Sequence, residues 1–316
     1  MMKGIHGEII NYSFDEYTTS LVQEIKKLYN ELDFSKINAR DNIILDCYSS
    51  VTIEGANTSI DNIKKNKKDK STLMAINCIN ATKDVIQNKC NITVEEDLIR
   101  LWNTVVNNVC ENESVRGSKY RIGMVYVGKH TPASESSIQN HMNTLFDYMK
   151  HSKHDTLIKA CIAHWYFVYI HPFCDGNGRM ARLLLSGLMY EEGYNNIFAV
   201  PISNIIMNNI NHYYKSIENG ENTINNVLDI TLHVNYMLSV ILKALQFIST
   251  NIDSLEVKVF NLINKHAGAE MTVKKCAELL NIDETHARNI LNKMVTRGTL
   301  IKYKSRNKNY YRKNLL

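Results

Sequence analysis

The stretch His171-Pro172-Phe173-Cys174-Asp175-Gly176-Asn177-Gly178-Arg179-Met180-Ala181-Arg182 decides how this chain is read. It brings together a histidine, a carboxylate, two glycines flanking an asparagine, and two arginines three positions apart. Leu183, Leu184, Leu185, Leu188 and Met189 follow and read as a buried helix, which puts Arg179 and Arg182 on one face near its N-terminus. The first turn of a helix leaves its N–H groups unpaired. The amides of Gly176, Asn177 and Gly178, the helix dipole and two guanidiniums therefore describe a polyanion site, suited to a di- or triphosphate. His171 precedes a proline, where a helix is expected to end. Its imidazole then stands at the mouth of the turn, able to take a proton from an attacking hydroxyl near neutral pH. Asp175 suits a magnesium ion shared with phosphate oxygens.

Two rival readings of the same residues are weaker. Gly176-Asn177-Gly178-Arg179-Met180-Ala181 matches the dinucleotide fingerprint G-x-G-x-x-A, with Trp165 to Ile170 as the preceding strand. That fingerprint belongs to a βαβ unit with an acid about 20 residues on, whereas helical patterns surround this one and Glu191 and Glu192 come too early. His164, His171, Cys174 and Asp175 could ligate a metal, but zinc sites show tighter, more repetitive spacing. His164, on an apolar helix, reads as a core histidine. What spacing and chemistry leave is phosphoryl or nucleotidyl transfer with a histidine base, the attacked phosphorus remaining open.

Outward from this stretch the chain is mostly helical in pattern. Residues 14–37 carry Leu21, Ile25, Leu28 and Leu32 at helical spacing, and the segment after Asp41 carries Ile43, Ile44, Cys47, Tyr48 and Val51, closing at Glu54-Gly55. Residues 61–70 read as a solvated connection, and 73–86, 94–109, 138–149, 156–170, 205–217 and 227–248 as helices. The segment 120–129 breaks the pattern: valine, tyrosine and glycine bounded by Gly123 and Gly128 predict a short β-hairpin. From Ser254 onward three short helices precede two strands turning at 305–308, a winged helix-turn-helix pattern.

Length bounds the answer to about two domains for 316 residues. Seven cysteines, scattered and odd in number, form neither a disulfide framework nor a zinc pattern, and the N-terminus lacks an apolar signal core. No stretch approaches about 18 uninterrupted apolar residues. A cytoplasmic protein without membrane contact is expected. The net charge of +5 is uneven: after Glu284 no acidic residue occurs among nine lysines and arginines, so the rest of the chain is net acidic. The tail, residues 254–316, is thus the part with a candidate polyanionic partner, DNA.

The pattern His171-Pro172-Phe173-x-Asp175-Gly176-Asn177-Gly178-Arg179-x-x-Arg182 resembles the signature of Fic-domain proteins, H-x-F-x-[DE]-G-N-G-R-x-x-R, and matches every defined position. The resemblance extends over residues 41–248. It implies an all-α fold, a Fic-type helical bundle with a short β-hairpin flap, and an enzyme that transfers AMP from ATP to a Tyr, Thr or Ser hydroxyl of a protein. It implies that His171 is the base, that Asp175 holds Mg2+, that Gly176, Asn177 and Gly178 bind the α- and β-phosphates, that Arg179 supports the phosphate chain and that Arg182 reaches the γ-phosphate. Val125, Tyr126, Val127 and Gly128 resemble the family's target-positioning flap. Asn209, with Tyr213 and Tyr214 after it, resembles the stretch that holds the adenine end.

A second signature lies upstream. Ser50-Val51-Thr52-Ile53-Glu54-Gly55 resembles the family's inhibitory motif, [ST]-x-x-x-E-[GN], which implies an inhibitory helix near 42–54. A carboxylate from Glu54 bridging to Arg182 would stand in the place of the γ-phosphate and consume its cation. The organisation expected is an N-terminal helical segment over 1–40, a Fic domain over 41–248 and a winged-helix domain over 254–316. The expected function is that of a protein adenylyltransferase autoinhibited through Ser50 and Glu54. The alternatives are a nucleotide-responsive DNA-binding regulator, or a de-adenylylating or phosphotransferring enzyme of the same fold.

Overall fold

Amphipathic and fully apolar helical segments dominate this chain, and its structure, a computed structural model, is built from them; it describes residues 2–128, 130–221, 223–252, 255–265, 271–305 and 308–314. In chain order the first elements are β1 (Ile9–Asn11), α1 (Glu16–Glu31), α2 (Ala39–Ile53), α3 (Ile60–Lys64), α4 (Lys70–Ile86), α5 (Glu95–Val106), α6 (Glu135–His151), α7 (Thr156–Ile170) and α8 (Asn177–Glu191). There follow α9 (Ile202–Met207), α10 (Ile210–Glu221), β2 (Thr223–Ile224), β3 (Val227–Asp229) and α11 (Thr231–Ile252). The last are α12 (Leu255–Lys265), α13 (Val273–Leu280), α14 (Glu284–Thr296), β4 (Leu300–Ser305) and β5 (Lys308–Lys313). The chain divides into two units, Met1–Asn30 with Asn42–Leu245, and Glu31–Asp41 with Gln246–Leu316.

In the first unit α7 is the central rod. Apart from Thr156 and Val168 every residue of it is buried, and it packs chiefly on α8 and α6. A helix with no polar face can be stable only where neighbours cover it all round. Asp155 starts it, its carboxylate accepting the Leu157 N–H, and Asp69 caps α4 in the same way through Thr72. α4 pairs with α5 beside this core. The mostly helical architecture expected from the sequence is the one observed.

Several local expectations need correction. The segment 205–217 is not one helix but is split by Asn208 and Asn209 into α9 and α10. Residues 227–229, expected to begin a long helix, form strand β3 instead. It lies between β1, to which it is parallel, and β2, to which it is antiparallel. The cause is the turn before it: Asn225 and Asn226 both have positive φ, 51° and 63°. A two-residue turn of that hand closes a hairpin, and asparagine tolerates the left-handed region better than most residues. Asp229 then accepts the Thr231 N–H, and α11 starts at Thr231, four residues later than expected. Residues 61–70, read as a connection, hold the short α3 capped by Ser59.

The predicted hairpin near 120–129 is reduced to a single antiparallel bridge, Val127 with His130, around Gly128 at φ +58°; Lys129 lies outside the described residues. Helix α11 is long and apolar enough, by length and composition, to cross a bilayer, yet half of that stretch is buried inside the protein. Its buried residues include Val234, Met237, Leu238 and Ile241, as in a core helix.

The second unit holds α12, α13 and α14 followed by the β4–β5 hairpin, in the predicted order. Thr272 caps α13 by accepting the Lys275 N–H, and Asp283 caps α14 through His286. Its core gathers Val259, Cys276, Ala287, Leu291, Leu300 and Tyr311. Ser254, where this part was expected to begin, and Arg306 and Asn307 at the hairpin turn lie outside the described residues.

Candidate active site

The loop between α7 and α8 carries the decisive stretch, and its shape follows from four features. His171 ends α7 in a left-handed conformation, φ 52° and ψ 61°, its N–H still bonded to the Phe167 carbonyl at 3.0 Å. Phe173 is wholly buried and stacks on Trp102, ring centres 4.4 Å apart. Asn177 closes the loop by a two-way bond: its Oδ1 accepts the Phe173 N–H at 2.9 Å and its Nδ2 donates to the Phe173 carbonyl at 2.8 Å. Gly176, at φ +80°, adopts a conformation that L side chains avoid, and a Cβ there would meet Val106 Cγ1 at 2.9 Å. The loop is therefore fixed by its own backbone bonds and by α5, whose Trp102 and Val106 pack against it.

The amide end of α8 faces a carboxylate. A Cβ on Gly178 would come within 2.2 Å of Glu54 Oε1, so the bare glycine is what allows an anionic group to lie over the first turn. Glu54 sits just past the end of α2, where Gly55 at φ +85° and the bonds Ala56 N–H to Val51 O (3.1 Å) and Gly55 N–H to Thr52 O (2.9 Å) close the helix. That doubly bonded glycine ending aims the glutamate. Its Oε1 accepts from Arg182 Nη2 at 2.7 Å. Ser50 holds the same guanidinium: Arg182 Nε donates to its hydroxyl and Nη2 to its carbonyl, both at 2.8 Å. Burial alone would weaken the Arg182 proton, but the Glu54 carboxylate outweighs it and holds the guanidinium more firmly charged.

Arg179 is buried as well. Its Nη2 donates to Asp175 Oδ1 at 2.8 Å, while Nε finds no partner within the protein. Arg182 Nη1 is likewise buried and unbonded. Guanidinium donors left unmet beside an anion-binding turn are suited to an anionic acceptor. Asp175 also accepts the Glu111 N–H through Oδ2 at 3.0 Å. Among the described residues no group of three or more histidine, cysteine, aspartate or glutamate side chains is placed to hold a metal ion. A lone carboxylate beside a phosphate cradle fits magnesium, which keeps waters and shares substrate oxygens, better than it fits a cation caged by protein.

His171 is lowered to about 4, first by burial and then by the nearby Arg121 cation. The imidazole is therefore neutral at physiological pH, the form that accepts a proton. Its Nδ1 is buried without a well-directed hydrogen bond.

Sequence reasoning missed Arg121. This residue is 2 % exposed, and its Nε donates to the His171 carbonyl at 2.8 Å, its Nη1 to Gly123 O at 2.6 Å and its Nη2 to Ala133 O. Its backbone N–H binds the Pro172 carbonyl at 2.9 Å. It ties the catalytic loop to the segment leading into Val125, Tyr126, Val127 and Gly128. An arginine inside a predicted hairpin gave no local sign of burial.

Asn209 is exposed between α9 and α10, bonded to His212 at 2.6 Å and not drawn into the cluster around Arg182. Tyr214 donates to the Ile53 carbonyl at 3.2 Å beside Glu54, whereas Tyr213 is buried and shares a 3.0 Å bond with His164. His164 also meets His233 at 3.2 Å, which makes it the core histidine that was expected.

A helical domain whose loop sets a histidine, a carboxylate and two arginines around one helix N-terminus is a defined class. Residues 92–189 match the model of the Fic/DOC family. Over 125 residues the chain is 34% identical to "Protein adenylyltransferase Fic" of Drosophila virilis, which is 38% of this chain and 24% of that one. It is 33% identical over 102 residues to "Protein adenylyltransferase fic-1" of Caenorhabditis elegans, 31% of this chain and 20% of that one. The chain thus spans about a quarter or less of the length of these relatives. A crystal structure of a Fic family protein from Desulfovibrio desulfuricans superposes with a TM-score of 0.68 at 20% identity, covering 96% of this chain and 98% of that one. Fic-1 of C. elegans superposes with a TM-score of 0.57 at 21% identity, over 76% and 73%.

Proposed function

We propose that this chain is a protein adenylyltransferase, moving AMP from ATP to a Tyr, Thr or Ser hydroxyl of a target protein, and that Glu54 restrains it. The observation that carries this is the Glu54 carboxylate, paired with Arg182 at 2.7 Å and lying over Gly178. An anion already sits where the helix end and the arginine would take a phosphate. The adenylyltransferase names of its relatives supply the reaction class.

Neutral His171 takes the proton of the target hydroxyl as its oxygen attacks the α-phosphorus, the bond to the β-phosphate oxygen breaks, and pyrophosphate leaves. Charge growing on the phosphoryl oxygens meets the amides of Gly176, Asn177 and Gly178 and the guanidinium of Arg179, all fixed beforehand. Arg182 binds the γ-phosphate once Glu54 yields it. Asp175 would hold magnesium, which supplies neutralising charge on the phosphates. The segment Val125–Gly128 presents backbone for pairing with the target, and Asn209 belongs to the adenine end. The free state of the cysteines fits a cytoplasmic setting.

Incubation with α-labelled and then γ-labelled ATP tests the reading. Label entering protein from the α position alone supports AMP transfer; entry from the γ position makes the enzyme a kinase, and neither, in wild type and Glu54→Gly alike, ends the proposal. Release of AMP from a pre-labelled target would assign the reverse reaction.

The C-terminal elements support a second function. Three helices and a hairpin bearing exposed Lys302, Lys304, Lys308 and Arg312 suit a winged helix that binds DNA phosphates. A salt-dependent mobility shift checks it; no shift at low salt removes it.

A further inference from the structure

Two thiols that play no part in the reaction above face each other, one of them within the catalytic loop. The Sγ atoms of Cys110 and Cys174 are 3.5 Å apart although 64 positions separate them in sequence. Cys174 is 4% exposed and sits inside the loop, between Phe173 and Asp175. Cys110 is only half-buried, so a solute can reach it.

Their approach does not depend on the thiols themselves. Three bonds clamp the segments on either side. The Glu111 N–H donates to Asp175 Oδ2 at 3.0 Å, Asn112 Nδ2 donates to the Cys174 carbonyl at 3.0 Å, and Trp102 Nε1 donates to the Asp175 carbonyl at 2.9 Å. With the two backbones fastened together, the sulfurs need to move about 1.5 Å to reach bonding distance, within the reach of side-chain rotation and small backbone shifts. The remaining cysteines, Cys47, Cys78, Cys90, Cys161 and Cys276, are all buried.

We infer that Cys110 and Cys174 are a redox modification site, closed to a reversible intrachain disulfide by a low-molecular-weight disulfide such as oxidised glutathione, and that closure switches the catalytic loop off. The Cys110 thiolate attacks one sulfur of the oxidant and expels one glutathione thiolate, leaving a mixed disulfide. Cys174 gives its proton to that released thiolate, attacks the Cys110 sulfur and expels the second glutathione, which takes up the proton lost by Cys110. Two protein thiols are oxidised to one disulfide, and one glutathione disulfide is reduced to two thiols. A ring through Cys174 then fixes Asp175 against the Glu111 amide and stops its carboxylate from turning toward a phosphate. The switching half rests on the role given to Asp175 above; the disulfide does not.

The test uses the full chain, folded, with oxidised glutathione in excess. Peptide mapping is expected to show one linkage, Cys110 to Cys174, with the five buried thiols alkylated only after unfolding, and no linkage in Cys110→Ser. A reaction that stops at a glutathione adduct on Cys110, or that links other pairs as readily, overturns the site. In the Glu54→Gly background the crosslinked protein is expected to lose about tenfold or more of its AMP transfer. Dithiothreitol restores it, and the Cys110→Ser form ignores the oxidant. Undiminished transfer by fully crosslinked protein overturns the switch. If reduced Glu54→Gly transfers nothing at all, the adenylyltransferase reading fails, while the mapping still decides whether the disulfide forms.

Discussion

Glu54 and Arg182 stand 2.7 Å apart, and the same carboxylate oxygen fills the space that a side chain on Gly178 would need. One glutamate thus holds both halves of a phosphate site, the cation and the amide end of α8. Its side chain is 32% exposed while that of Arg182 is 3% exposed, so the glutamate is the partner free to leave. The buried arginine keeps its place through the two bonds it donates to Ser50.

Replacing Glu54 by glycine is expected to raise AMP transfer on the order of tenfold or more, with a comparable tightening of ATP binding. Freeing one charge-assisted bond to a partly exposed carboxylate is worth about 1 kcal/mol or somewhat more. Labelled transfer and a thermal-shift titration with magnesium and ATP read it; equal labelling of wild type and variant removes the inhibitory role.

Gly178→Ala separates steric from electrostatic release. The new methyl collides with the flexible end of Glu54 and can displace it, so the fold should lose about 1 kcal/mol or less. The methyl also stands where a phosphate must lie. ATP binding should therefore fall even as Glu54 is dislodged, the opposite of Glu54→Gly. Tighter ATP binding by this variant would show that the phosphates do not approach the α8 amides.

His171 sets a pH limit. With its proton affinity lowered to about 4, transfer should not decline for want of base until the pH nears that value, and His171→Ala should abolish it throughout. Stability follows the same sign. The unfolded chain binds a proton below about 6.5, the folded one only below about 4, so stability falls as pH drops through that window. His233, lowered to about 3 by burial, adds in the same direction. Burial raises Asp46 to about 6 and Glu191 and Glu221 to about 7, which works against this loss. The check is therefore the difference between wild type and His171→Ala in urea melts at pH 7.5 and pH 5; a wild type that loses no more stability than the variant on acidification contradicts it.

Arg121→Met should loosen the loop without touching substrate. Removing the guanidinium leaves the carbonyls of His171, Gly123 and Ala133 without their donor, at a cost of about 2–4 kcal/mol. Transfer by the Glu54→Gly background should fall in kcat more than in KM for ATP. An unchanged urea midpoint would mean that those bonds are replaced by water.

Much of the site is legible in the sequence. The end of α7 before Pro172, the turn at Gly176 and the start of α8 are each written within a few residues. Helical period and capping chemistry act over one or two turns, so local sequence carries them. Where local pattern was ambiguous the reading slipped. Asn225 and Asn226 looked like polar residues ahead of an apolar helix, yet their tolerance of positive φ made a hairpin and turned Val227–Asp229 into a strand. The run 205–217 is apolar at helical spacing on both sides of Asn208 and Asn209, and nothing nearby announced the break.

By itself the sequence determined the helical class, the anion-binding turn and the histidine beside it, because each depends on neighbours in the chain. The partnership of Glu54 with Arg182 was reached only through a family resemblance, since 128 positions lie between them. Tertiary structure alone decided that Gly178 makes room for that carboxylate, that Arg121 fastens the loop, and that Cys110 meets Cys174. Such contacts are set by how α2, α5 and the segment before α6 pack around α7 and α8. Packing between distant segments is a property of the assembled core and leaves no period or spacing in the chain to be read.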